Sequence, residues 1–569
     1  MNRFCRIASL RSLRPTAACL ALAFALVACS PDADEPTGGG ADAGATADGV
    51  GYFRTDVSSP DAAPWPEGTD TSLPGCEPWR DAWSLPDLVV ADLAIAAGAL
   101  QLQASAALQP LGHDETVTVT VVDAKGKPDA DATGVLTLTN SAGVTIVDVP
   151  SVQAGVAQIR LQVTQLGEQL VTATLPDGRA GQIRLWGFQT QLPVWRIDVD
   201  PADLAKLNAN ALETIWVPVT LRRDGKTHVG KMRLHGGSSR TFPKKSFRLN
   251  LNKDQALADG RRKLVLRAEY VDKSALRNFA AYEVVRHATW LPASRLTYVH
   301  LRLNSTYYGV MLHPDRVDSH FLTDHGLNPE GSLYEADPPF VKSVPGGNLT
   351  VVKPASDYKV IYQQHHGALD YVDLIELIEV VLQLPDAAFE ANVDRVVKVD
   401  DVLVFLAMSA VIQNQDWVKK NYYLYRDPTA VDARWTVIPW DLDLTLGHLW
   451  TEEKDVFDEQ IFIDGSPYVG MNEGYLFYNQ LADRLLRVPR FRKRYRSFIA
   501  HFLAGKFNNS FLGPRLDNAL CRMQPDLLAD RLKRAKNEEL LSRVQEVRDF
   551  VVGRRTWLTT WLSEPDAKD

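Results

Sequence analysis

The stretch Gln415-Asp416-Trp417-Val418-Lys419-Lys420-Asn421-Tyr422-Tyr423-Leu424-Tyr425 leads, one short connection later, into Ile438-Pro439-Trp440-Asp441-Leu442-Asp443-Leu444-Thr445-Leu446-Gly447. Asn421–Tyr425 and Trp435–Pro439 read as the two strands of a short hairpin, because both are rich in β-branched and aromatic residues. Val399–Ile412, just upstream, and Tyr371–Leu384 carry apolar residues at helical spacing. Helices and strands therefore alternate around a group of carboxylates, which makes this part of the chain α+β. Acids wedged between apolar neighbours are costly to bury without a cation, so they mark a candidate site.

Further upstream, strands are expected at Trp195–Asp198, Ile215–Arg222, Lys231–Leu234, Ser246–Leu251, Lys263–Leu266 and Tyr298–Leu303, with a helix from Asp272 to His287. Downstream, a long helical tail is expected, with Leu527, Leu532, Leu540, Val544, Val547, Phe550 and Val551 on its apolar face. Residues 88–188 read differently. Short alternating runs such as Val117-Thr118-Val119-Thr120-Val121, Gly134-Val135-Leu136-Thr137-Leu138 and Leu170-Val171-Thr172-Ala173-Thr174-Leu175 are separated by turn residues, the pattern of a β-sandwich. The last run, followed by Pro176-Asp177-Gly178, resembles the closing strands of bacterial Ig-like domains, which implies a spacer or adhesive role. The fold class expected is therefore multidomain: an all-β Ig-like sandwich, then an α+β domain over 190–565 with a helical tail. The two are expected to fold separately, with a cleavable boundary near Trp186.

The N-terminus carries Arg3, Arg6, Arg11 and Arg14 ahead of an apolar run, Ala17–Leu26, that is short for a bilayer span. Residues 1–28 read as a signal peptide. Its end, Leu26-Val27-Ala28-Cys29, looks like a bacterial lipobox, which implies lipid attachment at Cys29 and a membrane anchor; Ser30 in place of Asp favours the outer membrane or surface of a two-membrane bacterium. Residues 29–50 are small and polar and form a flexible tether, with 51–87 an irregular connection. Of five cysteines, Cys76 and Cys521 remain after export and lipidation, and an oxidising compartment allows them to pair.

With 45% hydrophobic, 23% charged and 9% aromatic residues the chain is globular, and its formal net charge of -8 supplies no global attraction to nucleic acid. The chemistry lies in the spacing. A carboxylate with an amide five residues later, a hairpin, then paired carboxylates is the layout that orients a hydroxyl and holds Mg²⁺ in phosphoryl transfer. Asp416 is the candidate catalytic residue, and Asn421, Asp441 and Asp443 are the candidate metal ligands. Upstream, His235-Gly236-Gly237-Ser238-Ser239 between strands can cover phosphate, with Ser238 and Ser239 as donors and a lysine on the following strand as a point charge. It matches neither the P-loop nor a Gly-x-Gly-x-x-Gly run.

Taken in order, His235-Gly236-Gly237-Ser238-Ser239 with Pro243-Lys244-Lys245-Ser246-Phe247, Asp272-Lys273-Ser274-Ala275-Leu276-Arg277-Asn278, Leu303-Asn304-Ser305-Thr306-Tyr307-Tyr308-Gly309-Val310, Asp416 through Tyr425, Trp440-Asp441-Leu442-Asp443 and Phe550-Val551-Val552-Gly553-Arg554-Arg555 resemble the CotH family of atypical protein kinases. The resemblance covers roughly Leu192 to Leu562. It implies a protein-kinase-like fold, ATP and Mg²⁺ or Mn²⁺ as cofactors, and a protein substrate. It also implies Lys244 or Lys245 on the ATP phosphates, Asp416 as catalytic residue, and Asn421 with Asp441 or Asp443 on metal. The chain departs from the family at Gly236-Gly237-Ser238-Ser239 and at Pro314-Asp315-Arg316, where a Glu is common; neither change removes an inferred metal ligand.

Three other readings use the same residues. Val437–Thr445 also satisfies the Asp-x-Asp-x-Thr pattern of haloacid-dehalogenase-like phosphatases, but those open an α/β domain whereas this motif lies late in the chain. An Asp-x-Asp glycosyltransferase has nothing else in its favour. The third is a surface lipoprotein with a catalytically inactive kinase-like domain, distinguished by metal-dependent ATP binding without transfer.

Overall fold

The computed structural model describes residues 100–104, 106–149, 151–338, 347–349, 358–368, 370–414, 416–417, 420–448 and 479–564. The expected signal peptide, lipidation at Cys29 and tether, with residues 51–87 and Cys76, lie outside the described residues; Cys521 is disulfide-bonded. Among the described residues no helix is long and apolar enough to cross a membrane.

The β-rich N-terminal region is built from two four-stranded sheets. One runs in the order Leu100–Gln103, Asp114–Val121, Val156–Val163, Val144–Asp148, and the other in the order Leu108–Pro110, Ala180–Phe188, Gly167–Thr174, Thr137–Asn140. Alternation decides which face is buried: Val117, Val119 and Val121 enter the core with Ile159, Leu161, Val171 and Leu185, while Thr118 and Thr120 stay outside it. Each fully buried Val, Ile or Leu contributes about 1.5–3 kcal/mol, so an acid at Ile159 would break this core. The run expected as one strand at Gly134–Leu138 is split at buried Leu136: Gly134–Val135 pairs with Ser151–Val152, and Thr137–Asn140 with Gly167–Thr174.

The C-terminal region holds a seven-stranded sheet in the order Lys263–Leu266, Ser246–Leu251, Lys226–His235, Val217–Arg223, Val194–Val199, Leu296–Leu303, Thr306–Pro314. A four-stranded sheet, Tyr362–His366, Ser332–Ala336, Tyr422–Arg426, Thr436–Pro439, follows it. The expected hairpin is therefore the edge half of a larger sheet. Helices Arg277–Ala288, Val372–Gln383, Val399–Val411, Pro489–Ala504, Asn509–Ala529 and Leu540–Ser563 supply most of the largest core.

Two helical expectations change. The helix expected from Asp272 begins at Arg277, because Asp272 turns the chain by accepting the Ser274 and Arg277 amides and Ala275 takes a left-handed φ of 56°. The apolar tail is two helices: Asn509–Ala529 stops before Asp530, and Leu532 lies in the break. The closing Arg554-Arg555 pair caps other helices. Arg554 Nη2 donates 2.6 Å to Ala410 O and Arg555 Nη1 2.6 Å to Leu503 O, so each satisfies a carbonyl at a helix C-terminus.

Trp186 lies within the paired strand Ala180–Phe188, and residues 189–193, which form neither helix nor strand, follow it where the boundary is expected. Across that connection the N-terminal region shares a buried polar chain with the C-terminal one. Arg302 Nε donates to His113 Nδ1 at 3.0 Å, His113 Nε2 meets His300 Nε2 at 2.9 Å, and His300 Nδ1 meets Asp526 Oδ1 at 2.5 Å. The arginine cannot accept, so His113 carries its proton on Nε2, which leaves His300 to donate from Nδ1 to Asp526. Every ring nitrogen is used.

Candidate functional site

The strand pairing explains why distant acids meet. Tyr422 pairs with Pro439, so Asn421, one residue before its strand, and Trp440-Asp441, just after theirs, sit at the same end of the hairpin. Trp440 N–H donates to Asn421 O at 3.3 Å, and Asn421 N–H to Ala336 O at 2.9 Å. Asn421 and Asp441 both adopt left-handed backbone, with φ of 63° and 55°. Asn and Asp tolerate that region, and such strain gathers where a side chain must be aimed.

Asp416 Oδ2 accepts from Asn421 Nδ2 at 2.9 Å and from Lys420, whose Nζ is 2.6 Å away. Asp441 and Asp443 both meet one guanidinium: Arg267 Nη1 is 2.5 Å from Asp441 Oδ1 and Nη2 is 3.0 Å from Asp443 Oδ2. Arg267 also reaches Glu269 at 3.1 Å, and Asn278 holds Glu269 from the start of its helix. Four carboxylates, Asp416, Asp441, Asp443 and Glu269, thus face two cations, Arg267 and Lys420. Burial and then the neighbouring Asp441 push the Asp443 carboxyl well above the usual carboxylate range. Burial also raises Asp416, against the pull of Lys420, and raises Glu269 against that of Arg267. Although burial opposes its charge, Asp441, Glu269 and Asp443 hold the Arg267 guanidinium protonated.

This arrangement suits a hard divalent cation. The donors are oxygens and negative charge is in formal excess, with Asp441 and Asp443 sharing one guanidinium. Among the described residues no three His, Cys, Asp or Glu side chains already form a ligand cage. Asn421 Oδ1, Asp441 and Asp443 are the atoms that would hold a metal, and Arg267 would have to yield part of its grip.

The lysines require a correction. Lys244 lines a small cavity together with Glu269, but its charge is committed to another carboxylate: it is 3% exposed, with Nζ 2.7 Å from Asp530 Oδ2 and 2.5 Å from Val310 O. Gly309, at φ 138°, explains this, because a Cβ there would stand 2.4 Å from the Asp530 carboxylate. The missing side chain admits Asp530, and a carboxylate buried that deeply must be neutralised. Lys245 Nζ donates to Arg240 O at 2.7 Å, closing its own turn. Ser238 and Ser239 lie in the short 3₁₀ turn Ser238–Thr241, where their carbonyls accept from Thr241 Oγ1 and Phe242 N–H. The base of that turn is nonetheless near the site, since Ser246 Oγ accepts from Ala268 N–H, the residue after Arg267. Asp315, the shortened residue, pairs with Arg295 at 2.7 Å.

Sequence reading missed Arg267, Glu269 and Lys420. Lys420 was visible four residues from Asp416, and Arg267-x-Glu269 as opposite charges directly after the apolar strand Lys263–Leu266. The Asp272–Asn278 motif gains a reason: Arg277 binds Asp272 at 2.8 Å and donates to Leu446 O at 3.3 Å, tying the loop after Asp443 to the helix that carries Asn278.

The fold and site together define an α+β protein with a carboxylate-rich cluster at the end of a hairpin. A family model described as CotH kinase protein matches residues 232–558, and the chain belongs to that family. Inner spore coat protein H of Bacillus subtilis (strain 168) is 26% identical over 377 residues, spanning 66% of this chain and 99% of that protein. Likeness to solved structures is slight. A glycosyl hydrolase family 2 member from Bacteroides cellulosilyticus (TM-score 0.16, 15% identity) overlaps 16% of this chain and 14% of its own. Domains 6-7 of surface layer protein SbsC (TM-score 0.14, 16% identity) overlap 28% of this chain and 95% of theirs. Neither bears on fold or function.

Proposed function

We propose that the chain is an exported, lipid-anchored atypical protein kinase that transfers the γ-phosphoryl group of ATP to protein Ser or Thr hydroxyls with Mg²⁺ or Mn²⁺. The observation that carries this reading is the convergence of Asp416, Asn421, Asp441 and Asp443 on one over-acidic cleft in a chain of the CotH kinase family. A divalent cation there supplies neutralisation of the phosphate charges. Asp416, paired with Lys420 and steadied by Asn421, accepts or orients the proton of a substrate hydroxyl, and burial, which raises its carboxyl, favours acceptance. Arg267 positions Asp441 and Asp443. The Gly236–Ser239 turn follows His235, whose strand partner Ser246 bonds the residue after Arg267, which supports it as the element that covers phosphates; Lys245 can join it, whereas Lys244 is committed to Asp530.

Export through residues 1–28, acylation of Cys29 and an Ig-like sandwich acting as spacer belong to the same proposal, supported by the basic N-terminus, the Leu26–Cys29 pattern and the two facing sheets. Incubation of the purified protein with γ-labelled ATP, Mg²⁺ or Mn²⁺ and protein acceptors tests it. Label should move to Ser or Thr in the wild type and not in Asp441→Asn. Metal-dependent ATP binding with no transfer by the wild type would replace this reading with that of an inactive binding scaffold, in which Arg267 never releases the two aspartates.

A further inference from the structure

A cleft of about 110 Å³ lies between the turn before Lys263–Leu266, the segment after Thr306–Pro314 and the end of Tyr362–His366. Arg262, Lys263, Arg316, Asp318, His320 and His366 line it. Two arginines, Arg262 and Arg316, therefore face one lining carboxylate, and Asp318 is already engaged: its Oδ1 accepts the His320 and Phe321 amides. Arg316 is the telling residue. Its side chain is 10% exposed, Asp318 stands 3.8 Å away, beyond hydrogen bonding, and Nη1 is buried with no hydrogen-bond partner. An unsatisfied guanidinium N–H in such a place calls for an acceptor, since leaving it unmade costs about 1–3 kcal/mol or more. A single water needs roughly 10–15 Å³ of such space, so the cleft has room for a tetrahedral anion.

The cleft is separate from the site already described but linked to the strand that leads into it. His365, on its wall, is 2.8 Å from Glu335, and Glu335 pairs with Tyr423 in the strand that begins just after Asn421. Burial works against the Glu335 charge, but His365 and Arg316 hold its carboxyl below the usual range, so Arg316 is felt on the strand that leads to the carboxylate cluster.

We propose that this cleft is a second, separate anion site that takes a phosphate dianion, free or as a monoester, with the Arg316 fork as its anchor and Arg262 and Lys263 as supporting charges. The inference does not require phosphoryl transfer. Calorimetric titration of the purified protein at fixed ionic strength tests it, using inorganic phosphate, a phosphoserine peptide and its unphosphorylated twin. Saturable binding is expected, weakened about tenfold or more in Arg316→Gln, less in Arg262→Gln, and unchanged in Asp441→Asn. Preference for the phosphopeptide identifies a phosphorylated side chain as the source; preference for inorganic phosphate identifies the free anion. The proposal is overturned when neither phosphorylated probe saturates, when the twin binds as well as the phosphopeptide and phosphate does not bind, or when Asp441→Asn rather than the arginine variants removes binding. Should Arg316→Gln fail to fold by circular dichroism, Arg262→Gln decides. Because the readout is binding, a wild type that moves no label would refute the kinase reading and leave this result standing.

Discussion

Lys244 and Asp530 form a buried ion pair in which each charge is answered: Lys244 meets one carboxylate and one carbonyl, and Asp530 also accepts the Val310 amide. In the cluster at Asp441 and Asp443, by contrast, carboxylates outnumber cations and two aspartates share one guanidinium. Both clusters are assembled from residues far apart in sequence, and both contain a cation from the first half of the chain. The difference is balance. A closed pair has nothing more to bind and holds the seven-stranded sheet to the helical end, whereas an over-acidic cluster stores repulsion that an incoming cation relieves.

The comparison can be broken first at the closed pair. Lys244→Ala should cost about 3–5 kcal/mol, read by urea denaturation, because it strands the Asp530 carboxylate in the interior. A loss below about 1 kcal/mol would mean the pair is not the tie described. In the open cluster the effect should fall on activity instead. Asp441→Asn or Asp443→Asn should lower phosphoryl transfer by roughly 10²–10³-fold while leaving thermal stability unchanged or raised, since each removes a repelling charge. Lowered stability in both variants would place the cluster in the same structural class as Lys244–Asp530.

A third measurement sharpens the contrast. Mg²⁺ with ATP at about a hundred times its dissociation constant should stabilise the wild type by roughly 2.7 kcal/mol, and the double Asp441→Asn, Asp443→Asn variant by far less. An equal shift in melting temperature for the two proteins would show that the metal binds elsewhere.

The smallest effect concerns the polar chain joining the two regions. Burial, then His300 and Arg302, lower His113 from 6.5 to about 2. The unfolded chain therefore binds a proton that the folded one refuses, and stability must fall as pH drops below 6.5, by up to roughly 1.4 kcal/mol per pH unit. His113→Gln should flatten that slope in denaturant midpoints collected across the window; an unchanged slope would assign the acid sensitivity to other groups.

Much of this site could be read before any coordinates. Asp416, Asn421, Asp441 and Asp443 were visible because a hairpin between two motifs brings its flanks together by local geometry. Arg267 was not, because it stands 176 residues from Asp443, and nothing in a strand-end arginine announces its partner. The lysines misled for the converse reason. Pro243-Lys244-Lys245 following a glycine-rich turn suggests exposed phosphate ligands, and Gly309 and Asp530, both remote in sequence, turn Lys244 inward.

The amino-acid pattern by itself determined the division into a β-rich and an α+β region, most strand positions and the family, since alternation, helical spacing and ordered motifs are local properties of the chain. Tertiary structure decided which charges face one another, because ion pairing depends on distances that only folding sets. It split the helical tail at Asp530, sealed the junction through His113 and His300, and brought Arg267 to Asp441 and Asp443. Buried charge must find its counterpart wherever the fold brings one within reach, and sequence order places no limit on where that is.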